Sequence, residues 1–531
     1  MSTKLHHLGT TGLPLLYLNN RLHARNTYVE WDYQVLGPID DQRGFEQGGI
    51  SSGDLYTLYN SAQLNSGNEA LLGVNVGPVH VASIGQADDV VLLSDNIHNL
   101  SNLLQLSLDY CDNHHVKLAP EKTKLMAFHS KNQNLEVNYQ KAISPIEINN
   151  SQIEFVTEAD HVGITRSTLG NLPHIQKRIS SHMKKLYMLL PAGLSRNRTL
   201  NPAASLRVES IYAAPVLFSG TAALVLNKSE LGILQSHLKG VLQNLQRLHK
   251  GTPECFVNFL AGHPGAKAVL HIRQFSLFGM ICRLPGNILH KIASHLLLTE
   301  PDNSSSWFVS IRNLCAMYDL PSAILLLQDP PTKCTFKTLV KKKILSYWQE
   351  KFRSEAANLS SLQFFKPQYM SLSQPHPLWT TCDANPFEVN KAVVVAKMMS
   401  GRYRSDYLCR HWTPTNSEGW CLLCRDRSGP GDISHLLGSC ITLQDKRDSL
   451  FIYWDEQVST NIHIKEIIEN VKNADSKTFT QFVLDPSVHP AVISAVQKGQ
   501  IDLKQIFRLT RTFCYGIHRR RAQLLGRFNA N

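Results

Sequence analysis

Gln86-Ala87-Asp88-Asp89 stands between an alternating run, Val79, Val81 and Ser83 against His80, Ala82 and Ile84, and the apolar run Val90-Val91-Leu92-Leu93. Two β-prone runs separated by so short a polar step predict a hairpin with both carboxylates, Asp88 and Asp89, at its tip. Paired carboxylates on a rigid turn suit Mg²⁺, a hard cation that takes oxygen ligands and shares them with substrate phosphates. The plain alternative is an Asp-rich turn that holds nothing.

The neighbours of this stretch weigh on that choice. Upstream lies Gln47-Gly48-Gly49, inside Arg43-Gly-Phe-Glu-Gln-Gly-Gly-Ile-Ser-Ser52, followed by the helix-compatible residues Asp54 to Leu64. Downstream, an amphipathic stretch with Leu100, Leu103, Leu104 and Leu108 leads into Leu118-Ala-Pro-Glu-Lys-Thr-Lys-Leu125. This order of motifs resembles the palm of reverse transcriptases from non-LTR (LINE-type) retrotransposons, a family of transposable elements. The resemblance implies an RNA-directed DNA polymerase, in which two metal ions roughly 3.5–4 Å apart clamp the attacking and leaving oxygens of nucleotidyl transfer.

On that resemblance Asp88 is a magnesium ligand and Asp89 supports it, both as catalytic residues. Gln47, Gly48 and Gly49 would lie against the template base or incoming nucleotide, where a Cβ would collide. Lys122, and secondarily Lys124, would neutralise the departing pyrophosphate; a solvated charge at a strand edge is the alternative for both. The implied partners are an RNA template, a DNA primer or nicked target, and nucleoside triphosphates. The resemblance also implies action in the nucleus.

Composition is consistent with a polyanionic partner. The chain has 531 residues, 43% of them hydrophobic, and a formal charge of +12, which favours nucleic acid over membrane. Eleven cysteines, an odd number spread along a long chain, do not read as a disulfide framework, so a reducing intracellular compartment is expected. The uncharged stretch Ile211 to Asn227 falls short of the ~20 apolar residues of a spanning helix and reads as buried short elements.

At the start of the chain, Lys4-Leu-His-His-Leu-Gly-Thr-Thr-Gly12 resembles the family segment that follows the first catalytic aspartate. Trp31-Asp32 and Asp40-Asp41 fall where the family has an intervening strand and loop, and Gln86 stands where it usually has an aromatic residue. The expectation is an N-terminally truncated copy whose polymerase chemistry is impaired. A non-catalytic nucleic-acid-binding remnant is the alternative, and an unrelated helical scaffold with a zinc knuckle is a second.

The expected fold class is α+β: a partial palm of antiparallel sheet and helices over residues 1–170, then a mostly helical remainder. Strand-like runs Ile146–Ile148 and Ile153–Val156 would close the palm, and Glu158-Ala-Asp-His-Val-Gly-Ile164 resembles the motif near the primer grip. A helical thumb is expected over 171–260. There Ile175, Ile179, Met183, Leu186 and Leu190 recur at helical spacing, as do Leu231, Leu234, Leu238, Val241, Leu245 and Leu248. The window 171–250 carries eleven basic residues against Glu209 and Glu230, a charge that would bind phosphate backbone without reading sequence. A merely soluble basic bundle is the alternative.

Residues 261–400 read as a helical connection, with Lys341-Lys-Lys343 either touching nucleic acid or forming a solvated face. The second constellation is Cys421, Cys424, His435 and Cys440, spaced C-x2-C-x10-H-x4-C within a unit over 401–450. Three thiolates and an imidazole can complete a tetrahedral structural Zn²⁺ shell, with Asp432 or a backbone carbonyl orienting the imidazole. Thiols that merely line up are the alternative, and Cys409 and His411 are nearby spares. With its lead-in Met399-Ser-Gly-Arg-Tyr-Arg404, the constellation resembles the C-terminal Cys/His motif of LINE-type proteins. The tail 451–531 reads as helical, with Phe507, Leu509, Phe513 and Ile517 apolar and Arg508, Arg511, Arg519, Arg520 and Arg521 basic, either a helix packed on the zinc-bearing unit with a solvated basic end or a final nucleic-acid contact.

Overall fold

The computed structural model describes residues 2–22, 25–41, 49–128, 146–148, 151–194, 200–410, 418–427, 429–459 and 461–526. Gln47, Gly48 and His411 lie outside the described residues, as do Arg196 and Arg198 of the basic window. The chain is mixed α/β and mostly helical. It forms two compact units, one of Met1–Gly170 with Pro285–Thr299, the other of Asn171–Leu284 with Glu300–Asn531. Residues 171–260, the Cys/His motif, the tail and all of the connecting segment except Pro285–Thr299 therefore lie in the second unit.

In the first unit two helices carry a hairpin. The helix Ser52–Glu69 crosses the helix Ile97–Asn113. Asn96 starts the latter by accepting a bond from the backbone N–H of Asn99 at 2.8 Å, one of the donors a helix N-terminus leaves open. Leu103, Ser107 and Cys111 form its buried face, with Leu100, Leu104 and Leu108 half-buried. The helices approach closely because Gly67 presents no Cβ to Leu103 and Ala82.

The hairpin pairs Ser83–Gln86 with Asp89–Leu92 in antiparallel register, Gln86 opposite Asp89. The expected strand over 79–84 is instead broken at Ala82, which is fully buried beside Val81. The Ala82 N–H donates to Asn68 Oδ1 at 2.8 Å, and the Ser83 hydroxyl donates to the Leu64 carbonyl at 2.7 Å. The chain turns there to meet the helix, so Val79–Val81 pairs with Val74–Val76 and not with the hairpin.

The single antiparallel palm sheet of the sequence reading is correspondingly absent among the described residues, whose strands form separate two-stranded pairs. One pair is parallel, Lys124–Leu125 beside Glu154–Phe155. Apart from the hairpin of Arg25–Trp31 with Gln34–Asp41, the strands run two to four residues, which offers too few ladder bonds to recruit a third strand. The hairpin Glu158–His161 with Ile164–Ser167 turns through Val162 and Gly163, both at positive φ, the pattern whose twist matches paired strands.

The second unit is helical. Leu172–Met188 and Lys228–Leu245 bury the predicted faces, Leu186 of the one and Val241 of the other sharing a core cluster with Leu194 and Ala213 from the segments between. Leu190 falls beyond the first helix, where Gly193 at φ +96° ends the run. Ile211–Asn227 resolves into short helical turns. A larger core gathers Phe256, Phe259, Phe275, Phe278, Phe352, Trp379, Trp454, Phe482, Phe507 and Phe513, all fully buried, each contributing ~1.5–3 kcal/mol by leaving water. No helix among the described residues is long and apolar enough to cross a membrane.

The tail helix packs on the Cys/His unit through Arg521 and Asp406, and its solvated basic end is corrected at Arg511 and Arg521, which are buried. The helix Leu503–Leu524 is the central strut of the core, and Arg511 is 1% exposed. Its guanidinium donates to the Leu378 and Thr381 carbonyls and to the Thr381 hydroxyl at 3.1–3.2 Å. Arg521 is also buried. A buried guanidinium is tolerable where fixed acceptors replace its water.

Candidate metal centre and carboxylate pair

Cys421 and Cys424 lie on a turn stiffened by the Arg425 N–H donating to the Cys421 carbonyl at 2.9 Å. Gly431 passes so close that a Cβ would sit 2.8 Å from Cys421 Cα. His435 opens a wide π-type turn to Ser439, closed by the Cys440 N–H donating to the His435 carbonyl at 2.8 Å. One ligand atom from each of Cys421, Cys424, His435 and Cys440 lies within 4.8 Å of all the others.

Two thiolates bound at ~2.3 Å to one tetrahedral ion stand about 3.8 Å apart, and a thiolate–imidazole edge is about 3.5 Å. The Cys421 and Cys440 sulfurs are 3.8 Å apart, and Cys424 Sγ is 3.3 Å from His435 Nε2. Two of the six donor–donor edges thus stand close to the spacing of a tetrahedral ion, and the remaining four lie within 4.8 Å. Cys409 is not part of the cluster.

A thiol–thiol hydrogen bond marks the crowding. The hydrogen bond from Cys440 holds the Cys421 thiol well below the usual thiol range, against the opposing effect of burial. The same contact, with burial, pushes Cys440 up. The opposite directions mark two thiols crowded together, whose protons a bound metal ion would displace. His435 is raised chiefly by its hydrogen bond with Cys421.

The imidazole is not oriented as the sequence suggested. Asp432 Oδ1 accepts the backbone N–H of His435 at 2.9 Å and so caps the turn, while His435 Nδ1 faces the Ser439 hydroxyl at 3.4 Å.

Three residues that sequence reasoning missed brace the site. Asp406 accepts the Leu422 N–H at 3.0 Å with one oxygen and the Arg521 guanidinium at 2.8 Å with the other. Arg447 donates to the Cys440 carbonyl at 2.7 Å. All three are buried. A signal existed for Arg521: it continues the buried stripe Thr510, Cys514, Ile517 at helical spacing, where a charge requires a partner.

Asp88 and Asp89 are exposed at the end of their hairpin, Ala87 taking φ +53° in the turn. Burial raises the Tyr56 phenol of the helix Ser52–Glu69, and the nearby Asp88 carboxylate raises it further. Among the described residues no third carboxylate, histidine or cysteine joins the pair into a metal-holding group. Gly49 precedes that helix and is half-buried. Lys122 is exposed on the turn before Lys124, and Lys124 pairs with Glu154, the strand-edge alternative.

No protein-family model matches the chain, and no curated protein matches it.

Proposed function

We propose that this chain derives from the polymerase region of a LINE-type reverse transcriptase and works on RNA and DNA. The observation that carries the reading is the unit of helix, carboxylate-tipped hairpin and helix over Ser52–Asn113, in the order the motif resemblance calls for. The basic window adds support. Both of its acids are internal, Glu209 facing His182 at 3.3 Å and Glu230 closing a capping box with Asn227, so its outward charge is almost purely basic.

In this reading the hairpin carboxylates act in Mg²⁺-dependent nucleotidyl transfer, and a zinc ion in the Cys/His cluster is structural, its four positions filled by protein. Zinc there would hold the loop Trp420–Arg427 against the turn His435–Cys440; the donor chemistry fits it. The described residues supply two carboxylates and no third, which does not by itself make a two-metal site. That observation favours a second reading, a chain that holds nucleic acid without turnover.

Primer extension on an RNA template with Mg²⁺, comparing the chain with Asp88→Asn, separates the two. Incorporation that vanishes in the variant is the expected result for the polymerase. Absent incorporation with salt-sensitive RNA binding retained is the result for the second reading, and absence of both would overturn the nucleic-acid assignment.

A further inference from the structure

The helix Lys333–Ala357 turns Phe336, Val340, Ile344, Trp348, Phe352 and Ala356 into the core. Its first three turns carry Lys333, Lys337, Lys341, Lys342 and Lys343, and no acid follows until Glu350. Lys343 is neutralised by Asp319 at 2.5 Å. The other four are exposed and form no ion pair among the described residues.

Their placement works against the helix. Like charges at i,i+4 repel, as Lys333 with Lys337 and Lys337 with Lys341 do, and cations near a helix N-terminus oppose its dipole. A helix with no acid in its first turn and this many free ammonium groups has an electrostatic cost that an outside polyanion would remove. Lys333, Lys337 and Lys341 follow one another at i,i+4 along one side of the helix, ~6 Å of rise apart and ~12 Å in all, with Lys342 on the adjoining face. That run presents positive charge to consecutive phosphates of one strand.

We infer that Lys333, Lys337, Lys341 and Lys342 form a contact for one strand of a nucleic-acid backbone, separate from the basic window before it. This rests on the nucleic-acid reading above. The contact recognises phosphates, not bases, so RNA and DNA share its chemistry.

The test is a salt titration of binding to a single-stranded RNA and to a DNA duplex, comparing the full chain with K333Q/K337Q/K341Q/K342Q and with K343Q. The slope of log affinity against log salt should flatten by roughly 3 units in the quadruple variant, at 0.7–0.9 per phosphate released, and stay unchanged in K343Q. The arm that flattens identifies the strand. The quadruple variant should melt no lower than the parent, since its substitutions relieve repulsion. An unchanged slope, with the parent still binding, would overturn the ridge and leave the nucleic-acid reading standing. Lysine-dependent binding only to vesicles containing phosphatidylserine would also overturn it. No binding by the parent to either nucleic acid would overturn both.

Discussion

Gly67 sits inside a helix, where propensity alone favours alanine by about 1 kcal/mol. A β-carbon there would meet Leu103 and lie 2.9 Å from Ala82 Cβ, so Gly67→Ala is expected to cost ~1–3 kcal/mol through overpacking. Gly53, in the same helix, has nothing within 4 Å of its would-be Cβ, so Gly53→Ala should be neutral or stabilise by up to ~1 kcal/mol. Urea titrations of the two variants read this directly; shifts of the same sign would contradict the helix crossing. The cluster cysteines offer a second residue-scale outcome. Cys440→Ser leaves three donors, and zinc stoichiometry measured by a chromophoric chelator should fall from one per chain toward zero.

At the scale of the element, the helix Leu503–Leu524 fastens the Cys421–Cys424 loop through charge. Arg521→Gln leaves Asp406 buried beside the Leu422 N–H with no cation. A group that orients ligands from behind typically changes metal affinity 10–100-fold, so the variant should bind zinc that much more weakly while its helical circular dichroism is retained. Equal affinity in the two proteins would mean the loop holds its geometry without that helix. Replacing Asp406 and Arg521 together by Asn and Gln should lose less than the two single changes summed, because removing both ends of a buried pair leaves no orphaned charge.

Across the second unit, several histidines are held neutral by burial. His237, His271 and His518 are all lowered to about 4, burial being the largest cause, with His182, Lys267 and Arg521 adding repulsion respectively. The unfolded chain takes up these protons near the ordinary histidine value of about 6.5, before the folded state does. Stability is therefore expected to be flat above that value and to fall as pH drops from it toward 4. The slope is up to ~1.4 kcal/mol per pH unit for deeply buried His271, and less for the half-exposed His237 and His518. Urea midpoints measured between pH 7 and 4.5 check it, and His271→Gln should flatten the curve. A midpoint independent of pH would show that these rings are protonated in the fold.

What the sequence determined by itself was whatever depends on neighbours along the chain. Periodicity marked the helices Ile97–Asn113, Leu172–Met188 and Lys228–Leu245. The dipeptide step marked the Asp88–Asp89 hairpin, and ligand spacing named the Cys421, Cys424, His435 and Cys440 cluster that the fold brings within 4.8 Å. Tertiary structure alone decided what depends on partners far apart in the chain. Buried Ala82 bends the strand because Asn68 waits for its N–H. Arg511 and Arg521 belong to the core because carbonyls and a carboxylate more than a hundred residues away accept from them. Four lysines stay exposed because only Lys343 of their run finds an acid. Local pattern states which way a side chain leans, while the free energy of a charge is set by what meets it after the chain has closed.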